Sequence, residues 1–163
     1  MLDIIILIHN IRSSYNVGSI LRTAEGFGVS KVIFSGYTPY PKLIKDDRLP
    51  HIANKLTKQI HKTALGAEFM INLEFQSSPD FHKLRQDNYR IVGLEQDSRS
   101  ISLADYSINK KIALVIGEEV NGIEDEIRIQ CDDIIEIAMY GKKESFNVRV
   151  ATGIALYALT TAK

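Results

Sequence analysis

The sequence has few features that would cross-link the chain or anchor it in a membrane. Its one cysteine, Cys131, excludes an internal disulfide and a zinc site built from cysteines, and it suits the reducing cytoplasm. Apolar runs such as 4–8 and 112–116 have only five residues each, whereas a membrane-spanning helix needs about 20. The first twelve residues carry an acid and no basic leader before the apolar run, which predicts a strand rather than a signal peptide. The histidines lack metal-binding spacing, so we expect no metal site. They are His9, His51, His61 and His82.

The chain also lacks a net charge, because twenty basic side chains balance twenty acidic ones. The two signs are unevenly distributed: residues 1–63 hold nine basic and four acidic side chains, and residues 64–163 hold eleven and sixteen. A neutral protein has no overall attraction for nucleic acid, but a basic face still attracts phosphates locally. A chance imbalance on a solvated surface is the alternative, since halves of a sequence are not faces of a molecule.

Short apolar runs alternate with helical patterns along the 163 residues. The runs 4–9, 31–35, 89–94, 112–116 and 134–137 predict strands of a parallel sheet that is covered on both faces. Helices are predicted at about 17–27, 52–62, 79–87, 123–130 and 147–161, which gives an open α/β sheet with helices on both faces. No linker interrupts this order, so we expect one domain over residues 1–163. Segment 36–51 holds three of the four prolines and predicts a long exposed loop.

The first and last predicted helices differ in their polarity. In the first, Asn16 stands where an N-cap belongs, Gly28 stands where a C′ glycine belongs, and Arg22 lies nearly opposite the apolar stripe. The last is apolar almost all round between residues 148 and 159. Such a helix either forms a homodimer interface or lies across the sheet of its own chain.

Three polar segments follow or adjoin strand ends, where an open α/β sheet binds ligands. They are 16–22 (NVGSILR), 117–122 (GEEVNG) and 139–147 (MYGKKESFN). Each alone has a simpler interpretation as a helix cap or an acidic turn. The glycine-rich fingerprints of dinucleotide and nucleoside triphosphate sites are absent, and so is the G-x-S-x-G motif of hydrolases.

Taken in order, these segments resemble the SpoU (TrmH-type) RNA ribose 2′-O-methyltransferases of the SPOUT superfamily. Residues 16–29, NVGSILRTAEGFGV, resemble the first motif of that family, N-x-G-x-x-x-R-T-A. Residues 113–123, ALVIGEEVNGI, resemble the second, an apolar strand followed by G-x-E-x-x-G. Residues 135–157 resemble the third, I-P-M-x-G-x-x-x-S-L-N-V-S-x-A with an apolar helix. Segments 62–68 and 92–96 also resemble family segments, so the likeness extends from about residue 4 to 160.

The resemblance implies an α/β fold with a C-terminal trefoil knot, S-adenosylmethionine as cofactor, and an obligate homodimer without metal. It further implies a minimal catalytic domain with no separate RNA-binding domain. The positions that match the family's cofactor contacts are Leu94, Gly117, Ile137, Met139, Ser145 and Phe146, and Gly122 would join Gly117 in letting backbone approach the ligand. The chain departs from the family pattern at Val120, Ala138, Phe146 and Arg149, and these changes could reshape the cofactor pocket.

The resemblance also assigns catalytic roles. Arg22 matches the arginine that activates the ribose hydroxyl. Because a guanidinium stays protonated, we expect it to hold the adjacent phosphate and polarise the hydroxyl rather than act as a base. Asn16, Ser145 and Asn147 would orient Arg22, the ribose or the cofactor, and Glu119 would fix the pocket. RNA contact would fall to basic residues, namely Arg12, Lys42, Lys45, Arg48, Lys55, Lys58, Lys62, Lys142 and Lys143.

The expected function is therefore methyl transfer to a ribose 2′-hydroxyl of tRNA or rRNA in the cytoplasm. A non-catalytic RNA-binding module of the same fold is the first alternative, against which the retained Asn16, Arg22, Glu119, Ser145 and Asn147 argue. An enzyme acting on a small molecule or nucleotide is the second, against which the missing phosphate-binding loop argues.

Overall fold

Within the described residues, 2–107 and 109–161, seven parallel strands form one sheet. The strands are β1 (Asp3–His9), β2 (Lys31–Ser35), β3 (Asn72–Gln76), β4 (Arg90–Leu94), β5 (Ile101–Ser102), β6 (Lys111–Ile116) and β7 (Asp133–Glu136). Their order across the sheet of this computed structural model is β3-β2-β1-β6-β4-β7-β5. All of the carboxyl ends therefore lie along one edge.

Helices cover both faces of the sheet. They are α1 (Ser14–Gly26), α2 (Pro50–Ala64), α3 (Phe81–Gln86), α4 (Asp125–Arg128) and α5 (Val148–Thr161). Because side chains alternate along a strand, Ile6 of β1 packs in the core with α1, α2 and α5, whereas Leu7 packs in the core with α3 and α4. This arrangement confirms the predicted parallel α/β fold.

The five predicted strands are confirmed, four of them with bounds that differ by one residue and 31–35 without any difference. The prediction missed β3 and β5, which lie at the two outer edges of the sheet. Strand β3 is half-exposed and β5 has two residues, so neither carries the continuous apolar run of a central strand.

The predicted N-cap of the first helix is wrong. Helix α1 is capped by Ser13, whose hydroxyl accepts a hydrogen bond from the backbone N–H of Asn16 at 3.2 Å. Asn16 itself lies in the first turn, and its side-chain amide donates a hydrogen bond to Glu119. At the other end, Gly28 has a φ of +69° and donates its N–H to the Glu25 carbonyl, which confirms the predicted C′ glycine.

The loop that precedes α2 is exposed at several positions, as segment 36–51 predicts, but it is also held to the protein by one residue. The guanidinium of Arg48 lies 3.5 Å from the ring centroid of Tyr40 and binds the Asp46 carboxylate at 2.6 Å. The hydrogen bonds from Arg48 outweigh burial and hold the pKa of Asp46 well below its usual range. The proline-rich composition indicated a solvated loop, but this inward-facing ion pair fixes it against the protein.

Helix α5 is covered by its own chain on one side only. Thr152, Ala155 and Leu156 are buried against its own chain, while Val150 and Tyr157 leave an apolar side exposed. No helix among the described residues is both long enough and apolar enough to cross a bilayer.

Candidate active site

A cavity of about 270 Å³ opens at the carboxyl edge of the sheet. The residues that follow β4, β6 and β7 form its walls, together with the first turn of α5. Its lining residues are Leu94, Glu95, Gln96, Ile116, Gly117, Glu118, Glu119, Val120, Asn121, Gly122, Glu136, Ile137, Met139, Glu144, Ser145, Phe146, Val148 and Ala151.

The turn after β6 is pinched by paired backbone hydrogen bonds. Glu118 and Gly122 each donate an N–H to the other's carbonyl at 2.9 Å. A Cβ atom on Gly117 would lie 2.4 Å from the carbonyl carbon and oxygen of Gly122, so only glycine fits there. Gly122 has a φ of +69°, and a Cβ there would meet the Glu95 carboxylate. The two glycines therefore allow this turn to close against itself and against the neighbouring loop.

Two side chains tie the other cavity loops together. The Glu95 carboxylate accepts a hydrogen bond from the Ile123 N–H at 2.9 Å, which joins the end of β4 to the turn after β6. Gln96 donates from its side-chain amide to the carbonyl of Glu144 at 2.8 Å, which joins the end of β4 to the segment before α5. The cavity is thus framed by contacts between residues far apart in sequence.

Glu119 connects the loops that line the cavity to the start of α1. One oxygen accepts from the side-chain amide of Asn16 at 3.0 Å and from the Ser13 N–H at 3.2 Å, and the other accepts from the Arg12 N–H at 3.2 Å. Burial alone would raise the pKa of Glu119, but these hydrogen bonds to the ionised form outweigh it and lower the pKa below its ordinary value. The carboxylate is therefore charged at neutral pH and holds the two segments together.

The predicted cofactor positions come together in space. Leu94, Gly117, Gly122, Ile137, Met139, Ser145 and Phe146 all line the cavity. Leu94 is the last residue of β4, and Gly117 and Gly122 lie in the turn after β6. The others lie in the segment between β7 and α5.

The predicted catalytic positions come together only in part. Glu119 and Ser145 line the cavity, and Asn16 reaches it through Glu119. Asn147 is the N-cap of α5: its side-chain oxygen accepts from the Arg149 N–H at 3.1 Å, and its carbonyl accepts from two further N–H groups. Arg22 lies exposed on α1, outside the cavity lining, and makes no hydrogen bond or ion pair within the described ranges.

Several lining residues were not among the predicted site positions. The sequence carried a usable signal for Glu95 and Gln96, because they directly follow Leu94 at a strand end. Glu144 lies in the predicted segment 139–147, but the contact between its carbonyl and Gln96 depends on the folded structure.

The cavity is acidic. Five glutamates are among its lining residues, and no lysine, arginine or histidine is among them in the part of the chain that the structure describes. The glutamates are Glu95, Glu118, Glu119, Glu136 and Glu144. Carboxylates suit a ligand that carries positive charge and hydroxyl donors, and they disfavour a polyphosphate. The same described residues contain no group of three or more side chains placed to hold a metal ion.

Comparison with known proteins gives concordant results. The sequence profile of the SpoU rRNA Methylase family matches residues 3–157. A curated relative, the tRNA (guanosine(18)-2′-O)-methyltransferase of Borreliella burgdorferi, is 29% identical over 157 residues, which are 94% of this chain and 64% of the relative. The chain spans between 54% and 67% of the length of the curated relatives it matches.

Solved structures share the fold. The TrmH/SpoU tRNA modifying enzyme of Aquifex aeolicus superposes with a TM-score of 0.80 at 25% identity, covering 98% of this chain and 75% of that one. The SpoU methyltransferase AviRb of Streptomyces viridochromogenes, in complex with the cofactor AdoMet, gives 0.78 at 23% identity, covering 97% and 57%. Because the family profile spans nearly the whole sequence, this chain belongs to the SpoU rRNA Methylase family.

Proposed function

We propose that this protein is a methyltransferase that uses S-adenosylmethionine to methylate a ribose 2′-hydroxyl of tRNA or rRNA. The observation that carries the proposal is the acidic cavity, whose walls are the second and third motif segments and whose Glu119 is bonded to the first. The name of the family and the name of the Borreliella relative support an RNA substrate.

The cavity residues fit this cofactor. Leu94, Ile137, Met139 and Phe146 offer apolar contacts for an adenine ring, and Gly117 brings main chain to the cavity wall. The carboxylates suit a positively charged sulfonium and the hydroxyls of its ribose. When bound, the cofactor supplies a methyl group on a good leaving group, so the transfer needs no metal. The protein's part is alignment, which can lower a barrier by about 7–11 kcal/mol.

Arg22 is proposed to bind the phosphate next to the target ribose and to polarise the 2′-hydroxyl. Its guanidinium has the planar fork that matches a phosphate, and it stays protonated, which argues against a role as a base. Its exposed place on α1, outside the cavity lining, supports a site completed by a second copy of the chain. The exposed apolar side of α5, with Val150 and Tyr157, supports the same homodimer.

The remaining predicted residues are proposed as positioning groups. Ser145 is exposed at the cavity and can orient the ribose or the cofactor, while Asn147 acts through the start of α5. Asn16 acts through Glu119. The trefoil knot and the cytoplasmic location stay part of the proposal. The buried thiol of Cys131 suits a reducing compartment.

The test is transfer of a radiolabelled methyl group from S-adenosylmethionine into tRNA and rRNA pools, together with binding of S-adenosylhomocysteine. We expect transfer into one pool, loss of most transfer in Arg22→Lys, and retained S-adenosylhomocysteine binding in that variant. The matched control is Arg85→Lys, since Arg85 pairs with Asp132 beside the amino-terminal end of β4. Near-normal turnover of Arg22→Lys overturns the role of Arg22. Cofactor binding without any transfer favours the non-catalytic RNA-binding module, and absence of both rejects the proposal.

A further inference from the structure

A second, open depression has Arg12 in its wall, and Arg12 pairs with Glu118 of the cofactor cavity. Its volume is about 480 Å³, and aromatic and cationic side chains contribute prominently to its wall. The residues that matter here are Arg12, Tyr37, Tyr40, Arg48 and Gln59. None of these residues lines the acidic cavity, and Arg12 is the more exposed of the two cations, because Arg48 is paired with Asp46.

Tyr37 offers an exposed aromatic ring on a fixed backbone. The residue is 53% exposed, although its N–H donates to the side-chain oxygen of Asn10 at 3.1 Å. The preceding Gly36 has a φ of +62°, and a Cβ there would lie 1.8 Å from the same Asn10 oxygen. The ring is therefore presented to solvent from a tightly constrained turn, which lowers the entropy lost on binding.

Arg12 places a cation beside that ring. Its guanidinium carbon lies 5.8 Å from the Tyr37 centroid, and one terminal nitrogen lies 3.4 Å from the buried Glu118 carboxylate. The side chain is nevertheless 71% exposed, so its other N–H groups remain available to a ligand. Since Glu118 lines the cofactor cavity, Arg12 joins the depression to the site of methyl transfer.

Further positive charge surrounds the depression. Lys55 and Lys62 flank Gln59 at helical spacings of four and three residues, which puts them on the same side of α2 as this wall residue. The loop that carries Lys42 is fastened to α2, because its N–H donates to the Thr57 hydroxyl at 2.7 Å. An exposed aromatic ring among cationic side chains is the pattern that binds single-stranded nucleic acid.

We propose that Tyr37 stacks on an unpaired base of the substrate RNA while Arg12 binds an adjoining phosphate. This inference rests on the proposed function, because it places RNA next to the cofactor cavity. The occupant is a single-stranded segment rather than a duplex, since bases in a duplex bury the faces that an aromatic ring would contact.

The test measures fluorescence anisotropy with two labelled probes, an unstructured oligoribonucleotide of about twelve nucleotides and an RNA duplex of similar charge. Stacking on one base predicts that Tyr37→Ala weakens single-strand binding about 5- to 150-fold. Tyr37→Phe keeps the ring and should bind within about twofold of the wild type. The control Phe69→Ala removes another exposed ring, outside this depression, and should bind as the wild type does.

Salt dependence separates stacking from charge. Tyr37→Ala removes no charge, so the slope of log K against log salt should stay that of the wild type, whereas Arg12→Ala should reduce it by about 1. The inference is overturned if Tyr37→Ala binds the single strand normally, if Tyr37→Phe fails equally, or if both probes weaken together. Methyl transfer and S-adenosylhomocysteine binding by the wild type test the proposed function separately. If the protein binds RNA through Tyr37 but transfers no methyl group, the proposed function is contradicted and this inference is not.

Discussion

Replacing Glu119 with glutamine tests how the cavity is held to α1. The carboxylate accepts three hydrogen bonds, from Asn16, Ser13 and Arg12. A hydrogen bond to a charged group contributes about 1.5–3 kcal/mol, but the glutamine oxygen retains part of this set and water reaches the half-buried site. We therefore expect Glu119→Gln to lower the free energy of unfolding by about 2 kcal/mol at pH 7. For a domain of this size that corresponds to a melting temperature about 4–8 °C lower.

The stability lost in Glu119→Gln should become smaller as the pH falls. The folded-state pKa of Glu119 lies below its ordinary value of 4.5, so the unfolded chain binds more protons than the folded one between these two values. The stabilisation is thus fully present above about pH 4.5 and disappears as the pH falls through the lowered pKa. The difference between the wild type and Glu119→Gln should shrink in that acidic range.

Urea unfolding followed by circular dichroism, at neutral and acidic pH, measures both effects. Hydrogen exchange adds a local readout, because the amides of Arg12 and Ser13 should exchange faster in Glu119→Gln. Glu25→Gln is the matched control, since Glu25 is exposed on α1 and lacks a side-chain partner among the described residues. Equal stability of Glu119→Gln and the wild type at pH 7, with unchanged protection of both amides, would refute the reasoning.

Three other perturbations test separate features of the site. Gly117→Ala forces a Cβ against the Gly122 backbone, so calorimetry should find S-adenosylhomocysteine binding at least about tenfold weaker, whereas Gly141→Ala, with open space around it, should bind normally. Asn147→Ala removes the cap of α5 and should cost about 0.5–2 kcal/mol in urea unfolding, and no loss would contradict the cap. Burial raises the pKa of the Cys131 thiol to about 12, so iodoacetamide at pH 8 should label it only after unfolding, as mass spectrometry can check.

The central sheet could be predicted from sequence because its strands are buried on both faces. Continuous apolar runs gave β1 and β6 to within one residue. The edge strands β3 and β5 lack that signal, because an edge strand has one neighbour and carries exposed positions. Their pairing depends on the register of the finished sheet rather than on local composition.

The same contrast applies to the site. Local turn chemistry was sufficient to predict Gly28 as the C′ residue of α1, because its left-handed conformation depends only on the end of that helix. It failed for Asn16, because Ser13 and Asn16 are both good caps, and the choice between them depends on Glu119, which is 103 residues away. The positions of the three polar segments beside strand ends predicted that all three converge on one crevice. The second and third line the cavity, whereas the first reaches it only through the hydrogen bond between Asn16 and Glu119. Helical spacing also predicted that Arg22 lies opposite the apolar stripe of the first helix, and Arg22 is indeed exposed on α1.

The most direct test of the central claim is to identify the atom that is methylated. RNA from a strain lacking this protein would be treated with the purified protein and S-adenosylmethionine, digested to nucleosides and examined by mass spectrometry. Our account predicts one new nucleoside whose added mass of a methyl group stays with the ribose fragment. A methyl group on a base, or no new nucleoside in a preparation that binds S-adenosylhomocysteine, would contradict ribose 2′-O-methylation by this cavity.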